Sequence, residues 1–227
     1  MASVTENKDG SNADRGGKKL PFKARNPEET KEGLLLAAID EFAEFGYLGA
    51  RVERIVKRCG VTLRMLYHYF KNKDFLYVAV LQHVFTEIEA LEQAFELRSR
   101  EPEEQLHEII DFTFDHYRSQ TQFVQLVLGE SLLEAKHLRK FKSATALGEN
   151  LKSRMQRVLK EGQDSGIFEP DIDDIQLWGT IFTLCWPHSS GGGMLFGEVM
   201  DASNTDAVEA RRKHVHQVVS IYLKPQR

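Results

Sequence analysis

A chain of 227 residues, 41% of them hydrophobic, is long enough to bury one large core or two modest ones and has an ordinary globular composition. Its formal net charge of −4 speaks, averaged over the whole chain, against a nucleic-acid partner. No run of eighteen apolar residues occurs and the start MASVTENKDGSNADRGGKK has no apolar stretch of the kind a secretory signal needs, so no membrane partner is expected and the cytoplasm is the expected location.

Residues 1–25 are rich in Gly, Asn, Ser, Lys and Asp, with too little apolar surface to offset the entropy of ordering, and read as a disordered basic tail. Lys18, Lys19, Lys23 and Arg25 make it either a solubilising segment or an arm that grazes DNA. From residue 26 onward the pattern is helical and strand-type alternation is absent. Asn26-Pro27-Glu28-Glu29 supplies an Asn cap, a proline at the first position and acids facing the positive helix end. Leu35, Ala38, Ile39, Phe42 and Phe45 then form one apolar stripe closed by Gly46, and a shorter stripe, Val52, Ile55, Val56 and Cys59, is closed by Gly60.

The next stretch, CGVTLRMLYHYFKNK, holds a glycine, a hydroxyl, a run of bulky residues and a basic exit in fifteen positions. Thr62 is placed to cap a third helix, Val61 and Leu66 stand at the spacing of a hydrophobic staple, and Gly60 permits the turn. At 100° per residue Leu66 and Phe70 share the buried side, while Arg64 and His68 point away from it, flanked by Met65 and Tyr67. Lys71 and Lys73 follow, beside a helix start at Asn72, and suit phosphates by charge and by free N–H groups.

The charge distribution agrees. Between Arg51 and Lys73 seven cations face the single acid Glu53, so this segment carries +6 and the remainder −10. Residues 51–70 therefore read as a helix-turn-helix whose third helix fits a major groove. A glycine turn between two short amphipathic helices says little alone; the basic cluster strengthens it. Arg54, Lys57 and Arg58 read as a solvated face of the second helix and Tyr69 as core. Tyr67 either packs or faces the duplex, and Met65 either meets a thymine methyl or shields the turn.

FAEFGYLGARVERIVKRCGVTLRMLYHYFKNKDFLYVAVL resembles the DNA-binding domain of TetR-family transcriptional regulators over about residues 28–81. The resemblance implies an all-α homodimer in which an N-terminal three-helix helix-turn-helix domain (26–72, after the 1–25 tail) binds a double-stranded DNA operator. A larger helical ligand-binding and dimerisation domain (73–227) follows, and a small-molecule effector releases DNA. Carried over to this chain, it makes Thr62, Leu63, Arg64, Met65, Tyr67 and His68 the recognition candidates and places Arg51 at the start of the second helix, with Tyr67 and Lys73 at positions that typically touch phosphates. Ala50 and Arg51 depart from the pattern, because a Thr or Ser cap is frequent there; the second helix is expected to be weakly capped. Arg64-Met65 replaces a frequent small-polar pair, so the half-site cannot be borrowed.

Further helices are predicted at 73–97, 103–119, 121–135, 144–163, 173–187 and 205–223, with breaks at Pro102, Gly166, Pro170, Pro187 and Gly191 to Gly193. The segment 173–187 is apolar nearly all round (Leu177, Trp178, Ile181, Phe182, Leu184, Cys185). With Val208, Val215, Val218, Val219 and Tyr222 it predicts a two-fold four-helix interface. Phe112, Phe114, His116, Tyr117, Phe123, Trp178 and His188 either line an effector pocket or simply fill the core. Trp186 to Gly193, WPHSSGGG, either gates such a pocket or only joins two helices.

No metal and no cofactor are expected: no histidines stand at i, i+4, His214 and His216 fall on different helix faces, and Cys59 and Cys185 read as small core residues. An all-helical enzyme and a helical adaptor are the rival readings. The first lacks a glycine-rich phosphate loop, HExxH or GxSxG, and the DIDD of Asp171 to Asp174 reads as a helix start. The second has no need of the concentrated +6.

Overall fold

The structure is a computed structural model and describes residues 26–140, 148–186 and 204–225. The expectations for residues 1–25, His188 and the 187–193 connection lie outside the described residues. Nine α-helices and one 3-10 turn make up the described chain, with no strand among the described residues.

Local signals set most boundaries. The Asn26 side chain accepts the N–H of Glu28 at 3.0 Å and starts α1, Pro27–Gly49. Gly46 breaks that helix in a conformation open to glycine (φ 64°, ψ 172°), and its carbonyl then accepts the N–H of Ala50 at 3.0 Å. The buried stripe of α1 is Leu34, Ala38, Ile39, Glu41 and Phe42, turned slightly from the expected one: Leu35 is half-buried and Phe45 is exposed beneath the Arg54 guanidinium, 4.1 Å above its ring. α2, Val52–Cys59, ends at Gly60 (φ 69°), and α3, Leu63–Phe70, starts at Thr62, whose hydroxyl accepts the N–H of Met65.

Asn72 caps α4, Lys73–Ala94, through the N–H of Phe75 at 3.0 Å. At 1.5 Å per residue this helix runs about 33 Å, touching α1 and α3 as well as α6 and α7, so it spans from the three-helix head into the body. It stops three residues short of the predicted Leu97. There the Phe95 ring stacks on Phe112 at 4.3 Å and the Glu108 carboxylate accepts the N–H groups of Arg98 and Ser99, contacts an extended chain makes and a helix does not.

α5, Pro102–Ser119, and α6, Thr121–Leu132, follow, then a 3-10 turn, Leu138–Lys140, that periodicity does not announce. α7 is Glu149–Asp164 and α8 Asp174–Cys185, the latter capped by Asp173, as the acidic run predicts. Between them the chain reverses at Gly166 and lays the Phe168 ring over Gly162. α9, Thr205–Leu223, packs on α5 and α8. Val208, Val215 and Val219 are thereby buried within the chain's own core rather than left for a partner. Both cysteines are buried, Cys59 with its thiol 3.4 Å from the carbonyl of Gly33. Among the described residues no helix is long and apolar enough to cross a membrane, and no group of three or more His, Cys, Asp or Glu side chains could hold a metal ion.

Candidate nucleic-acid interface

α3 is a helix with two unlike sides. Leu66 and Phe70 are sunk in the core, whereas Thr62, Arg64, Tyr67 and His68 are exposed; Leu63, Met65 and Tyr69 are half-buried at the edges. Tyr69 packs against the core and meets the edge of His68, with ring centroids 5.4 Å apart. Leu66 and Phe70, four residues apart, lock the helix against its neighbours, and the same geometry forces Arg64 and His68 outward.

The basic exit is more specialised than its composition suggests. Lys71 is exposed, holds φ 59° and ψ −54°, and closes a three-residue turn in which Asn72 donates its N–H to the carbonyl of Phe70. Its ammonium lies 5.2 Å from the Phe75 ring centroid. Lys73 turns inward: its Nζ donates to the carbonyl of Ala50 at 2.7 Å and sits 4.8 Å over the Tyr47 ring, and burial lowers its pKa. Lys73 thus clasps the start of α4 to the turn before α2. The Tyr47 hydroxyl donates to Asp74, and burial together with that carboxylate pushes its pKa up to about 12.

The cations of α2 divide in two. Arg51 and Lys57 are exposed. Arg58 pairs with Asp40 of α1 at 2.5 Å, and Asp40 also accepts from Gln122 of α6, which links head and body. Arg54 is half-buried: its guanidinium grips the buried Glu41 through Nε at 2.7 Å and the carbonyl of Gly49 through Nη2 at 2.9 Å. The expected solvated face therefore holds for Lys57 and for Arg58, which stays exposed while paired with Asp40, but not for Arg54, which the Glu41 carboxylate draws in. α2 has no side-chain cap of its own, as the Arg51 departure predicts; instead the N–H of Arg51 donates to Glu41 at 2.8 Å. The apolar stripe read from the sequence passes over Glu41, which lies on the same side of α1 as the buried Leu34 seven residues earlier.

In the body, the effector candidates among the described residues do not converge on one pocket, and Phe114 is core, with the Arg212 guanidinium 4.8 Å over its ring. Phe112 and His116 stack at 5.2 Å and line a cleft of about 870 Å³ between α4 and α5, together with Phe95, Arg98, Asp111 and Asp115. Burial lowers the pKa of His116 to about 4, so its ring is neutral. Tyr117 and Phe123 are buried in an aromatic cluster with Phe182 and Trp186, which meets the cleft wall where the His116 and Tyr117 rings touch edge to face at 5.5 Å. Trp178 packs elsewhere, against the backbone of Gly148. Adjacent residues such as His116 and Tyr117 are offset by 100° around α5, so one faces the cleft and the other the buried cluster behind it.

Comparison with known proteins matches this layout. Residues 34–80 match the family model for bacterial regulatory proteins of the tetR family, and residues 102–219, half of the chain, match that of the tetracyclin repressor-like C-terminal domain. The chain is 29% identical over 173 residues to the HTH-type transcriptional repressor NicS of Pseudomonas putida, covering 76% of this chain and 82% of that protein. It is 39% identical over 62 residues to the HTH-type transcriptional regulator RutR of Escherichia coli K12, covering 27% of this chain and 29% of that one. Its fold is similar to that of a TetR transcriptional regulator from Chloroflexus aurantiacus (TM-score 0.64, 15% identity, 88% of this chain and 98% of that one). It is also similar to that of FadR from Bacillus subtilis, solved with stearoyl-CoA (TM-score 0.58, 21% identity, 85% and 98%). With a three-helix head, a helical body and family matches over both, the chain belongs to the TetR family and is a DNA-binding transcriptional regulator, not an enzyme.

Proposed function

We propose that this regulator is a homodimeric repressor that acts in the cytoplasm, seats α3 in the major groove of an operator and lets go when a small molecule occupies its helical body. The observation that carries the reading is the division of α3, with Leu66 and Phe70 buried and Arg64 and His68 on the opposite, open side. An open helix face braced from behind is what base readout requires. Arg64 suits bidentate bonds to guanine, and His68 serves a base or a phosphate; Thr62, Leu63 and Met65 fill the groove around them. Arg51, Tyr67 and Lys71 take phosphates. Lys73, its ammonium already bonded to Ala50, supports the same backbone track from behind.

Ile175 of α8 with Ile221 and Tyr222 of α9 supports a two-fold partner, because these large side chains remain exposed on helices whose other faces are buried. For the effector, the cleft walled by Phe95, Phe112 and His116 is an opening of suitable size among the described residues. NicS carries the name of a repressor and the B. subtilis FadR holds stearoyl-CoA, which is the precedent for both halves of the proposal. The test is selection of a random DNA pool by the full-length protein, followed by sequencing. An enriched inverted repeat is expected; a pool with no enriched sequence overturns the reading.

A further inference from the structure

Glu41 stands where α1 otherwise buries apolar side chains, and it is 1% exposed. A carboxylate in such a place is costly unless its oxygens are paired. The partners come from the next helix: Oε1 accepts the N–H of Arg51 at 2.8 Å and the Nε of Arg54 at 2.7 Å, with Arg54 Nη2 at 2.5 Å. Arg51 stands at the cap position just before α2 and offers no side-chain cap. Arg54 is held at two further points, the carbonyl of Gly49 and the face of Phe45.

We infer that Glu41 is a positioning residue for DNA reading: reaching across from α1, it supplies the cap that residue 51 lacks and withholds Arg54 from the phosphates. The first task fixes the start of α2, on which α3 packs. The second is a matter of specificity. A cation free to meet any phosphate strengthens binding to every sequence alike, so tying this one to Glu41 widens the gap between operator and bulk DNA. Arg51 is then the cation at the start of α2 left facing the duplex. The inference rests on the DNA-reading role of α2 and α3; if that reading fails, the wild-type protein itself shows no preferred sequence.

The experiment is a salt titration of binding to the selected operator and to a random duplex, using full-length protein. Glu41→Gln keeps the size and an acceptor for the Arg51 N–H but removes the charge that holds Arg54. Random-DNA binding should strengthen, and log K against log salt should steepen by about 0.9, the value for one added phosphate contact. The operator preference should fall by up to about tenfold. Adding Arg54→Gln to that variant should return the slope to its wild-type value. Equal weakening on both DNAs with an unchanged slope, alongside a lower Tm, would reduce Glu41 to a fold-maintaining residue and overturn the inference. An independent check needs no change at Glu41. Arg54→Gln in the wild-type background should leave the random-DNA slope as it is, and a slope shallower by about one would show that Arg54 already meets phosphate.

Discussion

The carboxylate of Glu130 and the imidazole of His137 meet at 2.8 Å, with neither side chain exposed to solvent. The other Glu130 oxygen accepts the N–H groups of His137 and Leu138 at 2.9 and 3.1 Å, so one buried acid folds the chain back after α6. Within that turn Glu134 and Ala135 both hold positive φ, 53° and 56°. The His137 ring lies 4.5 Å from Tyr47 and 4.9 Å from Tyr77, which brings the end of α6 against the base of the DNA-reading head. Removing one partner leaves the other's polar atoms buried and unpaired, so Glu130→Ala should cost about 3 kcal/mol or more in urea unfolding. A loss below about 0.5 kcal/mol, the size of a surface change, would mean that the pair contributes little.

Relief of strain in the same turn should run the other way. Ala135→Gly lets residue 135 keep φ 56° without a Cβ and should stabilise the protein by up to about 1 kcal/mol in the same assay.

Glu92 gives a pH signature. Burial raises its carboxyl pKa to about 7, against the opposing pull of the Gly148 N–H at 3.1 Å. The folded state then holds this proton more tightly than the unfolded chain, so the Glu92 contribution to stability falls as pH rises from about 4.5 to about 7 and stays low above that. His116, whose pKa is lowered to about 4 by burial, works in the opposite sense, with stability rising from pH 4 to 6.5. Glu92→Gln should therefore raise stability at pH 8 by up to about 3 kcal/mol and uncover the rising limb from His116. Thermal melts from pH 4 to 8 read both; parallel curves for the two proteins would contradict the assignment.

Gly162 is fixed by sterics rather than by dihedral angle. A Cβ built there falls 2.0 Å from the Phe168 ring, which the turn at Gly166 presses onto α7. Gly162→Ala should cost about 1–3 kcal/mol despite the better helix propensity of alanine. The double variant Gly162→Ala with Phe168→Ala should show strong non-additivity in a double-mutant cycle.

Arg64 and Lys73 should separate readout from scaffolding. Arg64→Ala is expected to weaken operator binding by about 1–3 kcal/mol and relax choice at one base pair, with stability unchanged. Lys73→Met should weaken binding to all sequences alike and also lower stability by about 1 kcal/mol, because the Ala50 carbonyl loses its donor. Binding measured on single-base operator variants, with melts of the same proteins, distinguishes the two.

Much of this was legible from the chain alone. Asn26, Thr62, Asn72 and the acids before α8 announced their helices, since a cap is a local bond between a side chain and a backbone group two or three residues on. The outward direction of Arg64 and His68 followed from the 3.6-residue period once Leu66 and Phe70 were taken as buried. The effector candidates fared differently: aromatic spacing named Phe112, His116, Tyr117, Phe123 and Trp178 but did not reveal that they divide among a cleft, an aromatic cluster and the Gly148 backbone.

What residue order determined by itself were contacts reached within one helical turn: the capped starts, the glycine reversals and the apolar face of α2 and α3, whereas the stops of α4 and α6 and the exact stripe of α1 were not. Tertiary structure alone decided the fate of the charges. Glu41, Arg54, Lys73, Glu92 and Glu130 look like surface residues in a list, yet each is tied or buried by a partner 7 to 56 positions away. A charge is settled by whatever the fold places beside it, because the desolvation it suffers and the partner that offsets it both arise from packing between elements that sequence proximity does not bring together.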